Sequence, residues 1–132
     1  MGNETESIKK AALDYIEGWY SASPERMERA LHPELAKRIV LNIEGTDNLR
    51  AITSERLVEA AKSRNEDKEA LDKIECEILD AHGDMACVKT VCPDFIDYIH
   101  LAKWDGQWKI INVLWEFTPE GRKRMEAAQK QK

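Results

Sequence analysis

The stretch Asp97–Phe117, DYIHLAKWDGQWKIINVLWEF, decides how this chain folds. Two runs rich in β-branched and aromatic residues flank Asp105-Gly106, a dipeptide that strongly favours a two-residue hairpin turn. Such a loop predicts that Trp104 pairs with Gln107, His100 with Ile111, Tyr98 with Val113 and Ile96 with Trp115. One face of the ribbon then carries Ile96, Tyr98, His100, Ile111, Val113 and Trp115. The other carries Ile99, Leu101, Trp108, Ile110 and Leu114, interrupted by Asp97 and Asn112. Both faces are mainly apolar, whereas an antiparallel sheet with one wet face alternates cleanly. Something must cover the second face. A homodimer is the simplest cover, because most soluble oligomers are symmetric pairs; a long helix of the same chain is the alternative.

Upstream of the hairpin the periodicity is helical. Ile8, Ala12, Tyr15, Ile16 and Trp19 form one stripe of a helix expected over Glu4–Tyr20. Ser23-Pro24 reads as an N-cap and first helical residue of a short helix carrying Met27, Ala30 and Leu31, which Pro33 ends. LAKRIVLNI then reads as a strand and Glu44–Asn48 as a loop. Thr53 caps a third helix, with Ile52 and Leu57 as a hydrophobic staple. After the polar SRNEDKE, the alternation of Ile74, Cys76 and Ile78 and the run MACVKTVC predict two strands around a turn at His82-Gly83-Asp84. Thr118-Pro119 opens a short polar helix. Helices gathered before a meander of strands imply an α+β domain with helices on one face of a curved sheet.

The 132 residues suit a single domain over 1–132. A net charge of −5 argues against nucleic-acid binding, which needs a basic footprint. No apolar run approaches a membrane span, and MGNETESIKK lacks a signal-peptide core. Its Met1-Gly2 start matches the myristoylation pattern only weakly, since position 6 is Glu. Cys76, Cys87 and Cys92 are an odd number without disulfide spacing, which predicts a reduced, cytoplasmic setting. A metal site built from these with His82 or His100 would need closer ligand spacing, so neither metal nor cofactor is expected.

The pattern DYIHLAKWDGQWKIINVLW, after helix, short helix, strand and helix, resembles the nuclear transport factor 2-like superfamily. Through LHPELAKR, LVEAAKS and the hairpin it is most similar to the putative lumazine-binding group. The resemblance covers nearly the whole chain and implies a cone-shaped α+β fold with a ligand cavity between helices and sheet. Against the ketosteroid isomerases of that superfamily, Tyr15 falls at the oxyanion tyrosine, His100 at the protonated aspartate and Trp115 at a pocket-lining aromatic. Val40 falls at the base, and a valine cannot take a proton; Arg38 and Asn42 are no better bases.

The expected function is binding of a small, flat, partly apolar molecule, pteridine-like if the family label holds. Tyr98, His100 and Trp115 would line the site from the sheet, with Tyr15, Trp19 and His32 from the helices. Five of them also have a plain role: Tyr15, Trp19 and Trp115 as core aromatics, His100 as a histidine with a local partner, His32 as a cation at a helix end. Asp97 is expected to pair with Lys103 or a dimer partner. Two other classes stay open: a lyase, isomerase or cyclase using His100 as acid/base with Tyr15 or Tyr98, and a protein-interaction module using the second sheet face.

Overall fold

The computed structural model describes residues 3–130; Met1-Gly2, where the myristoylation pattern falls, lies outside them. Five helices and six strands follow in the order α1 (Asn3–Tyr20), α2 (Pro24–Ala30), β1 (Leu31–Ile43), β2 (Thr46–Ile52), α3 (Ser54–Lys62), α4 (Lys68–Leu71), β3 (Glu75–His82), β4 (Met85–Val91), β5 (Phe95–Trp104), β6 (Gln107–Phe117) and α5 (Pro119–Lys130). The strands form one curved, unclosed sheet ordered β2-β1-β6-β5-β4-β3, with α1 to α3 on its inner face. Every neighbouring pair is antiparallel except β1 and β6, which run parallel. The α+β architecture expected from the helix-then-meander pattern is the one observed.

The inner helices are fixed by local chemistry. Ser23 Oγ accepts the backbone N–H of Arg26, and Thr53 Oγ1 accepts that of Arg56, so each caps its helix as its sequence position implied. Gly18 lets α1 and α2 cross closely: a Cβ there would stand 3.2 Å from Met27 N and 3.3 Å from Ser23 O. Asp14, almost fully buried, is held by Arg26, Arg29 and Lys10, which ties the two helices together. The stripe of α1 buries Ile8, Ala12, Tyr15, Ile16 and Tyr20 against Val88, Ile99, Leu101, Ile110 and Val113 of the sheet. Each such aliphatic contributes about 1.5 to 3 kcal/mol relative to an exposed position.

Three expectations change. First, α2 ends at Ala30, and Leu31 is already extended; Pro33 sits inside β1, where the pairing with β6 slips between Leu31 and Ala36 because a proline cannot donate to the ladder. Second, the expected loop after β1 is a hairpin. Glu44 (φ 51°) and Gly45 (φ 85°) make its turn, and β2 returns along β1 as an edge strand.

The third change moves side chains across the sheet. The β5–β6 hairpin starts in the expected register, Trp104 opposite Gln107, and stays so to Leu101 opposite Ile110. There a bulge absorbs Ile111. His100 then faces Asn112, Tyr98 faces Leu114 and Asp97 faces Trp115. One extra residue flips every β6 side chain beyond it. The inner face holds Asp97, Ile99, Leu101, Val113 and Trp115, while Tyr98, His100, Asn112 and Leu114 face outward.

Candidate functional site

A cavity of about 120 Å³ lies between the helices and the sheet. Tyr15, Ile16 and Trp19 of α1 form one wall, with Met27 of α2 and the Ile52–Leu57 staple of α3 closing the top. Lys37 of β1, Phe95 of β5 and Trp115 of β6 form the floor. Phe95 stands edge-on to Trp115 at 5.1 Å and to Trp19 at 6.5 Å between ring centroids, so three aromatic rings frame the space.

One end of this apolar space is polar. Lys37 Nζ donates to the Tyr15 hydroxyl at 2.5 Å, and that hydroxyl donates to Asp97 Oδ2 at 2.7 Å. All three residues are buried. The Lys37 ammonium also lies over the rings of Trp115, at 5.0 Å, and Tyr15, at 5.1 Å. Sequence position explains the placement. Leu35, Lys37 and Ile39 alternate onto the buried face of β1, and Asp97, Ile99 and Leu101 do so on β5.

Burial dominates the protonation of this chain of groups. It pushes the Lys37 ammonium below the ordinary lysine range, against the attraction of Asp97. It pushes the Asp97 carboxyl above its ordinary range, against Lys37 and the Tyr15 hydrogen bond. Tyr15 is driven well upward by burial and by the Asp97 charge, so it stays a neutral hydroxyl. Lysine and aspartate are thus drawn towards each other across a hydroxyl that can pass a proton between them. Among the described residues, Asp97 Oδ1 and the indole Nε1 atoms of Trp19 and Trp115 are buried without a hydrogen-bond partner. Buried polar groups are normally satisfied, and both tryptophans line the cavity.

The six residues singled out from sequence divide. Tyr15, Trp19 and Trp115 come together at the inner cavity. Tyr98 and His100 lie on the outer face, on the other side of the sheet from Tyr15. His100 Nδ1 is 3.0 Å from Asn112 Nδ2, and Tyr98 is half-exposed beside Leu114. An acid/base pair of His100 with Tyr15 is therefore not assembled. His32 belongs to the start of β1, where it stands edge-on to Trp104 at 4.7 Å and accepts the Glu34 N–H. Asp97 does not meet Lys103, which instead reaches Glu4 at 3.0 Å. Val40 faces outward, half-exposed. Wider depressions, of about 360 Å³ at His100 and Met85 and about 310 Å³ at Tyr98 and Leu114, are open hollows of the outer face. The inner cavity is the better site despite its smaller volume, because it combines enclosure with the polar Lys37–Tyr15–Asp97 chain at one end. Among the described residues, no group of three His, Cys, Asp or Glu is placed to hold a metal ion, and no helix is long and apolar enough to cross a membrane.

Comparison with known proteins fits this architecture. The family model described as "Putative lumazine-binding" matches residues 3–116. The chain belongs to that family. Its fold is shared by an NTF2-like protein of unknown function from Shewanella baltica OS155 (TM-score 0.69, 19% identity, 89% of this chain and 96% of that one). A second, from Silicibacter pomeroyi DSS-3, has a TM-score of 0.70 at 14% identity over 89% and 98% of the two chains. A ketosteroid isomerase-like protein from Erwinia carotovora atroseptica has a TM-score of 0.58 at 14% identity over 90% and 100%. No curated protein matches the sequence. The putative lumazine-binding family and the fold read from the hairpin and the preceding helices are those found.

Proposed function

We propose that this protein binds a small carbonyl- or carboxylate-bearing molecule in the inner cavity. The observation that carries the reading is the buried Lys37–Tyr15–Asp97 chain, set in an aromatic wall. An ammonium with three donors spends one on Tyr15. Together these groups favour a ligand with acceptor oxygens and a small apolar body. Size narrows the choice. A cavity of roughly 150 Å³ holds benzene, so 120 Å³ suits a single small ring or a short branched chain. A fused pteridine is larger than this space.

The test is a thermal-shift screen of small aromatic and aliphatic acids, aldehydes and ketones, with pteridines alongside. A ligand at a hundred times its dissociation constant stabilises by about 2.7 kcal/mol, a shift of several degrees. The shift is expected to vanish in Lys37→Met and to survive in Tyr98→Ala and His100→Ala. The reverse pattern would place the ligand on the outer face and end this reading.

The outer face supports a second property, self-association. Val40, Leu49, Met85, Tyr98 and Leu114 are exposed there by 46 to 63%. A second copy of the chain, apposed sheet to sheet, would cover them. Light scattering is expected to give a dimer that Leu114→Lys converts to a monomer; a wild-type monomer would end the idea.

A further inference from the structure

We propose that Lys37 captures the carbonyl carbon of a small aldehyde or ketone as an imine, with Tyr15 and Asp97 moving the protons. The inference rests on the inner-cavity reading and goes beyond it, because it makes the capture covalent and reversible.

Imine formation asks three things of a site, and the geometry supplies each. The lysine must be able to present a free amine. Lys37 Nζ is buried at the wall of an apolar cavity, over two aromatic rings, and burial disfavours its charged form. The lysine's proton must have somewhere to go. Nζ donates to the Tyr15 oxygen at 2.5 Å while the Tyr15 hydroxyl donates to Asp97 Oδ2 at 2.7 Å. A concerted shift along these two bonds turns ammonium and carboxylate into amine and carboxylic acid, and leaves tyrosine unchanged. In a desolvated site this exchanges two buried charges for two neutral groups. Finally, the oxygen that leaves must be protonated. The Asp97 carboxyl supplies that proton through the Tyr15 hydroxyl, which sits between it and Lys37 Nζ.

The step balances. The neutral amine adds to the carbonyl carbon, forming the C–N bond while the C=O π pair moves to oxygen. Proton transfer from nitrogen to that oxygen gives the carbinolamine. The proton stored on Asp97 returns through Tyr15 to the carbinolamine hydroxyl, the C–O bond breaks, and water departs. The products are a protonated imine on Lys37, water and the Asp97 carboxylate. No oxidant or reductant takes part.

The test uses the full chain with butanal and furfural as probes at neutral pH, sodium cyanoborohydride to fix any imine, and peptide mapping by mass spectrometry. With limiting aldehyde, the alkyl increment is expected on Lys37 ahead of exposed lysines such as Lys68, Lys73 and Lys123. It is lost from that peptide in Lys37→Arg. Tyr15→Phe, which keeps the amine and removes the relay, is expected to slow labelling by roughly a hundredfold, the usual scale of lost proton transfer. Label spread over exposed lysines with none on Lys37 would overturn the proposal, as would labelling at full rate in Tyr15→Phe. Thermal shifts with the same probes separate the two readings. A shift without trapped label removes the imine and keeps the binding cavity; neither a shift nor a label removes both.

Discussion

Replacing Lys37 by methionine tests the buried polar chain directly. Methionine keeps most of the stem that packs between Tyr15 and Trp115 and removes the charge alone. Asp97, 1% exposed, is then left with the Tyr15 hydroxyl on Oδ2 and nothing on Oδ1. Removing one partner of a buried pair costs about 3 to 5 kcal/mol, because the other charge stays buried without compensation. For a chain of this length that lowers Tm by roughly 10 to 20 °C. The cost depends on pH in a definite sense. Burial already raises the Asp97 pKa in the folded protein, and losing Lys37 raises it further. A carboxyl with a raised folded pKa favours folding below its unfolded pKa and loses that contribution as pH rises through the folded value. The Lys37→Met deficit is therefore smallest below the ordinary aspartate pKa of about 4 and grows as pH rises from there towards the folded value. The double variant Lys37→Met/Asp97→Asn carries no buried charge and recovers most of the loss, since a pair replaced as a whole is often near neutral. Urea unfolding across this pH range, on all four members of the cycle, checks this. A deficit independent of pH, or a double variant as unstable as the sum of the singles, would refute the reasoning.

Asp14 has the opposite sign. Burial pushes its carboxyl up, but hydrogen bonds from Arg29, Arg26 and Lys10 together pull it below the ordinary range. Asp14→Asn is expected to cost about 2 to 3 kcal/mol at neutral pH. The gap to wild type narrows on acidification, as the native carboxylate's contribution is lost on passing below its folded pKa; urea midpoints against pH read this out. In α5, a Cβ on Gly121 would overlap the Asp94 backbone carbonyl, so Gly121→Ala is expected to cost about 1 to 3 kcal/mol and to speed proteolysis of that helix. Thr53→Ala removes the α3 cap and is expected to cost about 1 kcal/mol in chemical denaturation.

Much of the fold was legible because its signals are local. Asp105-Gly106 takes positive φ at both residues and closes the hairpin as the dipeptide demands. Ser23, Pro24 and Thr53 cap where capping chemistry puts them. The edge strand β2 was not legible. TDNLRAI is largely exposed, so neither of its faces imposes an alternation, and Glu44 adopts a left-handed conformation that its side chain does not advertise.

The site was half legible, and a bulge at one residue accounts for the misplacement of Tyr98 and His100. Periodicity along α1 put Tyr15 and Trp19 inward whatever the sheet did. On β5 and β6, inward or outward is a parity, and parity survives only while pairing is regular. IIN at 110–112 offers three residues that suit a strand on either face, and no glycine marks the bulge at Ile111. The turn correctly predicts pairing up to Ile110, then Ile111 is absorbed and Trp115 shares a face with Asp97 instead of Tyr98. The signal that resolves the ambiguity comes from charge. Lys37 and Asp97 each interrupt a buried alternation, Leu35-Lys37-Ile39 and Asp97-Ile99-Leu101, with opposite sign. Two ionisable groups that burial would penalise singly are consistent with folding if they share a cavity and a bridging hydroxyl. Tyr15 is the buried hydroxyl on α1 that meets both. An apolar strand interrupted by a charge is thus a reason to look for the complementary interruption on another strand before fixing which face is in.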